Sequence, residues 1–296
     1  MKVAIIGTGN IGMDLLLKLL KTPQVQVVAF VGRRAPTKAM PEGVFYSDKG
    51  IQFFIDNPNC CDFVFECTDA FSAARHSYVF SEQNITVIDL TPSKVGKICV
   101  PNVNSHRITK EKNVNMVTCG GQVSIPLLHY FSKRMNVSYA EVVTQISADS
   151  AGMATRENID KYIETSESAI TKLTNIPSCK VILNLNPMET TVMQTTLFVK
   201  GEFTSSIDDF DEYVNMIKKY IPNYTVNISP TCINKNMLMV SVNIIGSGDY
   251  LSKYAGNLDV INCAAVHILK QFIQEQSCRD CPPQPGTAPG AYTSGE

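Results

Sequence analysis

The sequence predicts an α/β protein in which a doubly wound parallel sheet comes first and a mixed sheet follows. Short apolar runs near the N-terminus alternate with stretches of helical periodicity. Those runs are too evenly apolar to keep one face in water, the pattern of strands covered by helices on both sides. Beyond residue 122 the runs lengthen and begin to alternate in polarity, as strands covered on one side do.

Taken in order, residues 2–6 (KVAII) form a short β-rich run. A glycine turn follows, then Ile11, Leu15, Leu16, Leu19 and Leu20 at helical spacing. Residues 25–32, 62–68 and 86–91 read as further buried strands, and VNMVT (114–118) as a strand that runs into Cys119. The later runs at 139–148, 179–187, 195–203 and 236–245 suit the mixed sheet. Helices are expected at about 158–174, at 207–220 after Ser205 and Ser206, and at 258–276. The segment 277–296, rich in Pro, Gly and small polar residues, is expected to be disordered.

Composition bounds what such a fold does. A chain of 296 residues that is 44% hydrophobic has material for two packed cores. With 18% charged residues and a net charge of -1, it carries no electrostatic footprint for nucleic acid or an anionic membrane. Small molecules or other proteins are the expected partners. Glycines interrupt the first apolar run before a secretory core forms, and no later stretch reaches the length of a span, so the expected location is cytoplasmic. The ten cysteines, scattered through apolar stretches, are then expected to be mostly reduced and buried. His76, His106, His129 and His267 lack metal-ligand spacing, so no metal is expected. Cys278 and Cys281 form a lone CxxC without a second pair, and Glu66 and Asp89 end strands where they touch a ligand or cap turns.

Gly7-Thr8-Gly9-Asn10-Ile11-Gly12 follows the first strand and opens the first helix, the context that makes this pattern a dinucleotide site. The first glycine permits the turn, the second admits a pyrophosphate, and the third lets helix pack on strand. At the end of the second strand an acidic residue would accept the ribose hydroxyls of NAD, but this chain has Arg33 and Arg34. Guanidinium groups there match a 2′-phosphate, so NADP(H) is favoured over NAD(H).

Cys119 sits where a strand turns into a helix and is followed by Gly120 and Gly121. Bare backbone N–H groups and the helix dipole at such a turn are expected to lower the thiol pKa and to stabilise an oxyanion on an attacked carbonyl. These are the needs of a thiohemiacetal.

MKVAIIGTGNIG, VIDLTPSKVG, VNMVTCGGQ, YAE, SAG, TRENIDKYIETSESAI, LNP, YIPNY and YAGNLD, in that order, resemble the acylating acetaldehyde dehydrogenases, partners of 4-hydroxy-2-oxovalerate aldolase. The resemblance runs from residue 1 to about 275. It implies a semialdehyde-dehydrogenase-like fold: a Rossmann domain over 1–118 completed by helix 258–276, and an inserted α/β catalytic and dimerisation domain over 119–257. It further implies a homodimer, a Cys119 thioester, an aldehyde or acyl thioester as substrate, and coenzyme A or an acyl carrier as co-substrate. Cofactor contacts are implied for Thr8, Gly9, Asn10 and Ile11, for Ser150, Ala151, Gly152 and Asn158, and for Asn257.

Four departures from that pattern bear on the substrate. Arg33-Arg34 replaces an Ile-Asp pair, Thr195 stands where the family has an aspartate near the nucleophile, and Met153-Ala154 replaces Pro-Gly. Asn184 lies in a strand that is almost wholly apolar in the family and is expected to face a polar substrate group, with Thr195 at the reaction site. A shorter loop before the last long strand argues against the aldolase partnership, and the changes together suggest a relative adapted to reduce a larger or more polar acyl thioester. Two other readings stay open: a dehydrogenase that makes an acyl phosphate, and a non-catalytic dinucleotide-binding homologue.

Overall fold

The computed structural model describes residues 1–36, 39–157, 159–188 and 191–280. Its elements run β1 (Lys2–Ile6), α1 (Asn10–Leu20), β2 (Gln26–Val31), β3 (Tyr46–Ser47), α2 (Gln52–Asp56), β4 (Phe63–Glu66), α3 (Ala70–Glu82), β5 (Thr86–Asp89), β6 (Lys97–Ile98), α4 (Pro101–Asn104) and β7 (Asn113–Asn115). They continue with α5 (Cys119–Ser132), β8 (Met135–Ser147), α6 (Met153–Glu157), α7 (Ile159–Thr174), β9 (Cys179–Asn186), β10 (Met193–Phe203), α8 (Phe210–Lys218), β11 (Tyr224–Asn234), β12 (Met237–Ile244) and α9 (Gly256–Asp280).

Among the described residues, seven strands form a parallel sheet in the order β3-β2-β1-β4-β5-β7-β6. The chain winds outward from β1 to β2, then crosses back to add β4 on the other side, which opens a crevice at the carboxyl ends of β1 and β4. Both faces are covered. Val3 and Ile5 of β1 belong to one core with Leu15, Leu16 and Phe272, while Ala4 and Ile6 belong to a second with Phe54 and Phe80. A five-stranded mixed sheet, β11-β12-β10-β8-β9, follows; only β8 and β9 run parallel.

Two elements depart from the sequence prediction. β11 lies in a stretch with no strand signal, because it is an edge strand that carries Pro230, exposes most of its residues and slips register against β12. α9 extends to Asp280, into the segment expected to be disordered, since no Pro or Gly interrupts the chain before Pro282. The rest of that segment, and with it the Cys278 to Cys281 pairing, lies outside the described residues. No helix among the described residues is long and apolar enough to cross a membrane.

A buried ion cluster brings α9 back onto the parallel sheet. Lys18 Nζ on α1 lies 3.2 Å from Asp14 and 2.6 Å from Asp249, and it also pairs with Asp259 in the first turn of α9. Asn262 Nδ2 donates to Asp14 at 2.7 Å. Burial pulls the Lys18 ammonium down, but the three carboxylates outweigh it and hold its pKa above the ordinary value. Those carboxylates lie close enough together to hold a cation, and the Lys18 ammonium supplies it. Replacing Lys18 by methionine leaves Asp14 and Asp259 without a countercharge, while Asp249 keeps Lys21 at 2.5 Å, and is expected to cost about 3–5 kcal/mol in urea unfolding. A loss below about 1 kcal/mol, the range of surface pairs, would show that the cluster does not hold the helix.

Candidate active site

A cavity of about 1050 Å³ occupies the crevice at the ends of β1 and β4 and reaches the N-terminus of α5. Thr8, Gly9, Asn10 and Ile11 form part of its wall. Gly7 has φ +116°, and a Cβ there would lie 2.4 Å from the Cys67 carbonyl. Gly12 is packed so closely that a Cβ would meet the Gly7 carbonyl oxygen at 1.9 Å. Gly9 is the opposite case, with no atom within 4 Å of an ideal Cβ. The three glycines thus do three different things: turn, open cradle and helix-to-strand contact. The cradle and the start of α1 fit a dinucleotide pyrophosphate.

At the far end of the cavity stand Arg33 and Arg34, joined by Lys49 and Arg75, which sequence reasoning missed. Lys49 follows β3 and Arg75 sits on α3, so only the fold brings them beside the end of β2. Two carboxylates at this end are engaged: Asp56 pairs with Lys49 at 3.2 Å, and Asp69 serves a helix cap. Asp69 caps α3 by accepting from the amides of Phe71 (3.0 Å) and Ser72 (2.9 Å) and from Ser72 Oγ (2.7 Å). Burial raises its pKa, but these bonds and Arg33 outweigh it and keep the group ionised.

At the other end, Cys119 is the first residue of α5 and partly exposed to the cavity. Val117, two residues earlier, has φ +64°, a left-handed conformation that a β-branched residue rarely adopts. The amide of Val117 donates to Asn115 Oδ1 (3.0 Å), and Asn115 Nδ2 donates to Asp89 (3.0 Å), so the end of β7 holds the turn in place. Cys119 is thereby set at a strained corner between strand and helix.

Two of the amides expected to be bare at this corner, those of Gly120 and Gly121, are occupied. Gly120 N donates to Tyr162 Oη at 2.9 Å, and Gly121 N donates to Thr118 Oγ1 at 2.9 Å. Tyr162, on α7, also lies 3.7 Å from Cys119 Sγ through the same oxygen. The expected lowering of the thiol pKa is corrected as well. Burial pushes Cys119 up, and the Tyr162 hydroxyl and the amides of Gly120 and Cys119 itself only partly offset it. Desolvation of a thiolate outweighs the helix dipole here.

Residues 119–252 match the dimerisation domain of prokaryotic acetaldehyde dehydrogenase, and residues 2–111 match the semialdehyde dehydrogenase NAD-binding domain. The chain is 42% identical over 281 residues to an acetaldehyde dehydrogenase of Spirochaeta aurantia, covering 92% of this chain and 94% of that one. It belongs to the acetaldehyde dehydrogenase family. An acetaldehyde dehydrogenase of Geobacillus stearothermophilus is 36% identical over 285 residues, covering 93% and 97% of the two chains. In fold, it is similar to aspartate semialdehyde dehydrogenase II of Vibrio cholerae, with a TM-score of 0.66 at 14% identity, covering 93% and 98%. This family member is therefore an acetaldehyde-dehydrogenase-like oxidoreductase with an NAD-binding domain.

The other predicted site residues of this acetaldehyde dehydrogenase homologue divide into three groups. Ser150, Gly152 and Asn257 line the cavity. Asn257, the second residue of α9, is 7% exposed and its Oδ1 has no partner, which fits an acceptor awaiting a ligand. Gly12 and Ala151 lie behind the wall, and the Ala151 carbonyl accepts from Arg156 Nε at 3.1 Å. Asn158 is outside the described residues.

Asn184 and Thr195 are corrections, because neither lines the cavity. Asn184 is exposed on the edge strand β9, on the same side as Lys180. Thr195 is fully buried in β10 and bonds to Thr144 Oγ1 at 3.1 Å. Glu66 and Asp89 cap turns: Glu66 accepts from the Thr68 amide (3.0 Å) and faces His76 Nδ1 (2.7 Å), and Asp89 accepts from the Thr91 amide (2.8 Å). Burial and the neighbouring Glu66 push Asp89 up to about 7.

A raised thiol pKa sets a measurable reactivity. The unliganded protein is expected to react with iodoacetamide at Cys119 more slowly, at pH 8, than N-acetylcysteine does, because less of the thiol is ionised. Peptide mass spectrometry follows the modification, and a faster reaction would show that the corner activates the thiol by itself.

Proposed function

We propose that the protein interconverts an aldehyde and an acyl-CoA with NAD(P)(H), through a thioester on Cys119. One observation carries the reading: the glycine cradle at α1 and the cysteine at the strained start of α5 open into the same cavity. Thr8 to Ile11, Ser150, Gly152 and Asn257 would hold the dinucleotide, which when bound supplies the hydride acceptor. Cys119 Sγ attacks the aldehyde carbon. Loss of hydride from that carbon leaves the acyl group on sulfur, and coenzyme A or a carrier thiol takes it away.

The matched dimerisation domain supports a homodimer built on residues 119–252. A division into a dinucleotide unit of residues 1–118 with the last helix, and a catalytic unit of 119–257, accords with the two sheets. The proposal of a larger or more polar acyl group loses the support of Asn184 and is not carried forward. Association with an aldolase forms no part of the reading.

Two measurements test it. Cys119→Ser is expected to lower CoA-dependent aldehyde oxidation by at least about 10³-fold while leaving NADH affinity within about threefold, since only the nucleophile is lost. Turnover with phosphate in place of coenzyme A, yielding an acyl phosphate, would overturn coenzyme A as the acyl acceptor.

A second part of the proposal is a preference for NADP(H), supported by Arg33, Arg34 and Arg75 at the far end of the cavity, where Asp69 is engaged in its helix cap and Lys49 is paired with Asp56. The double variant Arg33→Ala/Arg34→Ala is expected to lower kcat/KM for NADP(H) by about tenfold or more and for NAD(H) by less than about threefold. Equal kcat/KM for the two cofactors in the unchanged protein would refute the preference.

A further inference from the structure

Apart from the backbone amide of Cys119 itself, hydrogen bookkeeping around the sulfur leaves one side-chain donor. Ser166 Oγ donates to the Tyr162 carbonyl at 2.8 Å, which uses its only hydrogen. The 2.7 Å contact between Thr118 and Ser166 must therefore be donated by Thr118, whose oxygen meanwhile accepts from the Gly121 amide. The amides of Gly120, Gly121 and Gln122 are spent on Tyr162 Oη, Thr118 Oγ1 and the Thr118 carbonyl. Tyr162 Oη accepts from Gly120, so its own hydrogen is free for Cys119 Sγ, 3.7 Å away.

Gly120 is what admits the phenol, since a Cβ there would lie 2.2 Å from Tyr162 Oη. The groups that face the hydroxyl are the Gly120 amide, the Thr118 hydroxyl and the Cys119 sulfur, with no carboxylate among them. Thr195, at the position where an aspartate is implied, is turned to Thr144 instead. Burial holds the Tyr162 pKa well above its ordinary value, so the group stays protonated and acts as a donor, never as a base.

We propose that the Tyr162 phenol is a catalytic hydrogen-bond donor, which holds the Cys119 thiolate before attack and then turns to the oxyanion on the attacked carbonyl. This rests on the thioester reading above. In the attack, a sulfur lone pair forms the S–C bond and the C=O π pair moves onto oxygen. Tyr162 keeps its proton and shares it first with sulfur, then with oxygen. As hydride leaves the carbon for the oxidised cofactor, the C=O bond re-forms. Attack of a coenzyme A thiolate on the thioester returns charge to the same oxygen. Collapse then breaks the Sγ–C bond and delivers the Cys119 thiolate back to the phenol. The one proton released over the cycle is that of the coenzyme A thiol.

The experiment measures iodoacetamide modification of Cys119 in the unliganded, full-length protein from pH 6 to 10, together with CoA-dependent aldehyde oxidation. Tyr162→Phe is expected to slow modification at pH 8 by about tenfold and to move the profile to higher pH. It is expected to lower kcat by about 10²-fold with NADH affinity within about threefold. Tyr162→2,3-difluorotyrosine, a stronger donor of the same shape, is expected to move the profile the other way, and it decides the matter if the phenylalanine variant is poorly folded. An unchanged profile in a folded Tyr162→Phe protein, or a shift in the same direction by both variants, overturns the role of the phenol. Absence of CoA-dependent turnover in the unchanged protein overturns the acyl reading instead.

Discussion

The structure turns on the requirement that the first amides of α5 be satisfied while Cys119 is kept at the cavity. A helix start leaves its first N–H groups unpaired, and burying them unpaired costs about 1–3 kcal/mol each. Here α7 meets the requirement from across the fold. Tyr162 accepts from Gly120, and Ser166, one turn further along the same face, takes the Thr118 hydroxyl that caps Gly121. The same contacts that finish the helix therefore fix a phenol beside the thiol. A shift of α7 would unpair the buried Gly120 amide.

The opposite wall has a matching constraint in α9. Its first turn is held to α1 by the Lys18 cluster, and the following contacts carry Asn257 to the cavity from the far end of the chain. Asn257 Oδ1 stays without a protein partner, a local cost that binding would repay. Stability and recognition thus share elements: α1 provides both the cradle and the lysine, and α9 both the carboxylate and the amide.

Cys119 illustrates how a folded environment reverses a local tendency. The corner, the glycine pair and the helix start all favour a thiolate, yet the depth of the site disfavours any uncompensated charge more strongly.

The parallel sheet, the glycine fingerprint, the order of the long strands and Cys119 were legible in the sequence, because each is a local pattern: an apolar run, a turn that demands glycine, a residue between strand and helix. Edge strand β11 was not, since a strand that packs against one neighbour and exposes Pro230 lacks the apolar signature of its class. Asn184 and Thr195 were misread for a related reason, as only register decides whether a strand residue faces water, core or cavity. Tyr162, Lys49 and Arg75 carried no signal at all. Tyr162 lies 43 positions from Cys119 and reads in sequence as one apolar position of an amphipathic helix. Its role exists only because packing puts α7 against α5 and Gly120 leaves room for a hydroxyl, and contacts of that range are set by tertiary structure alone.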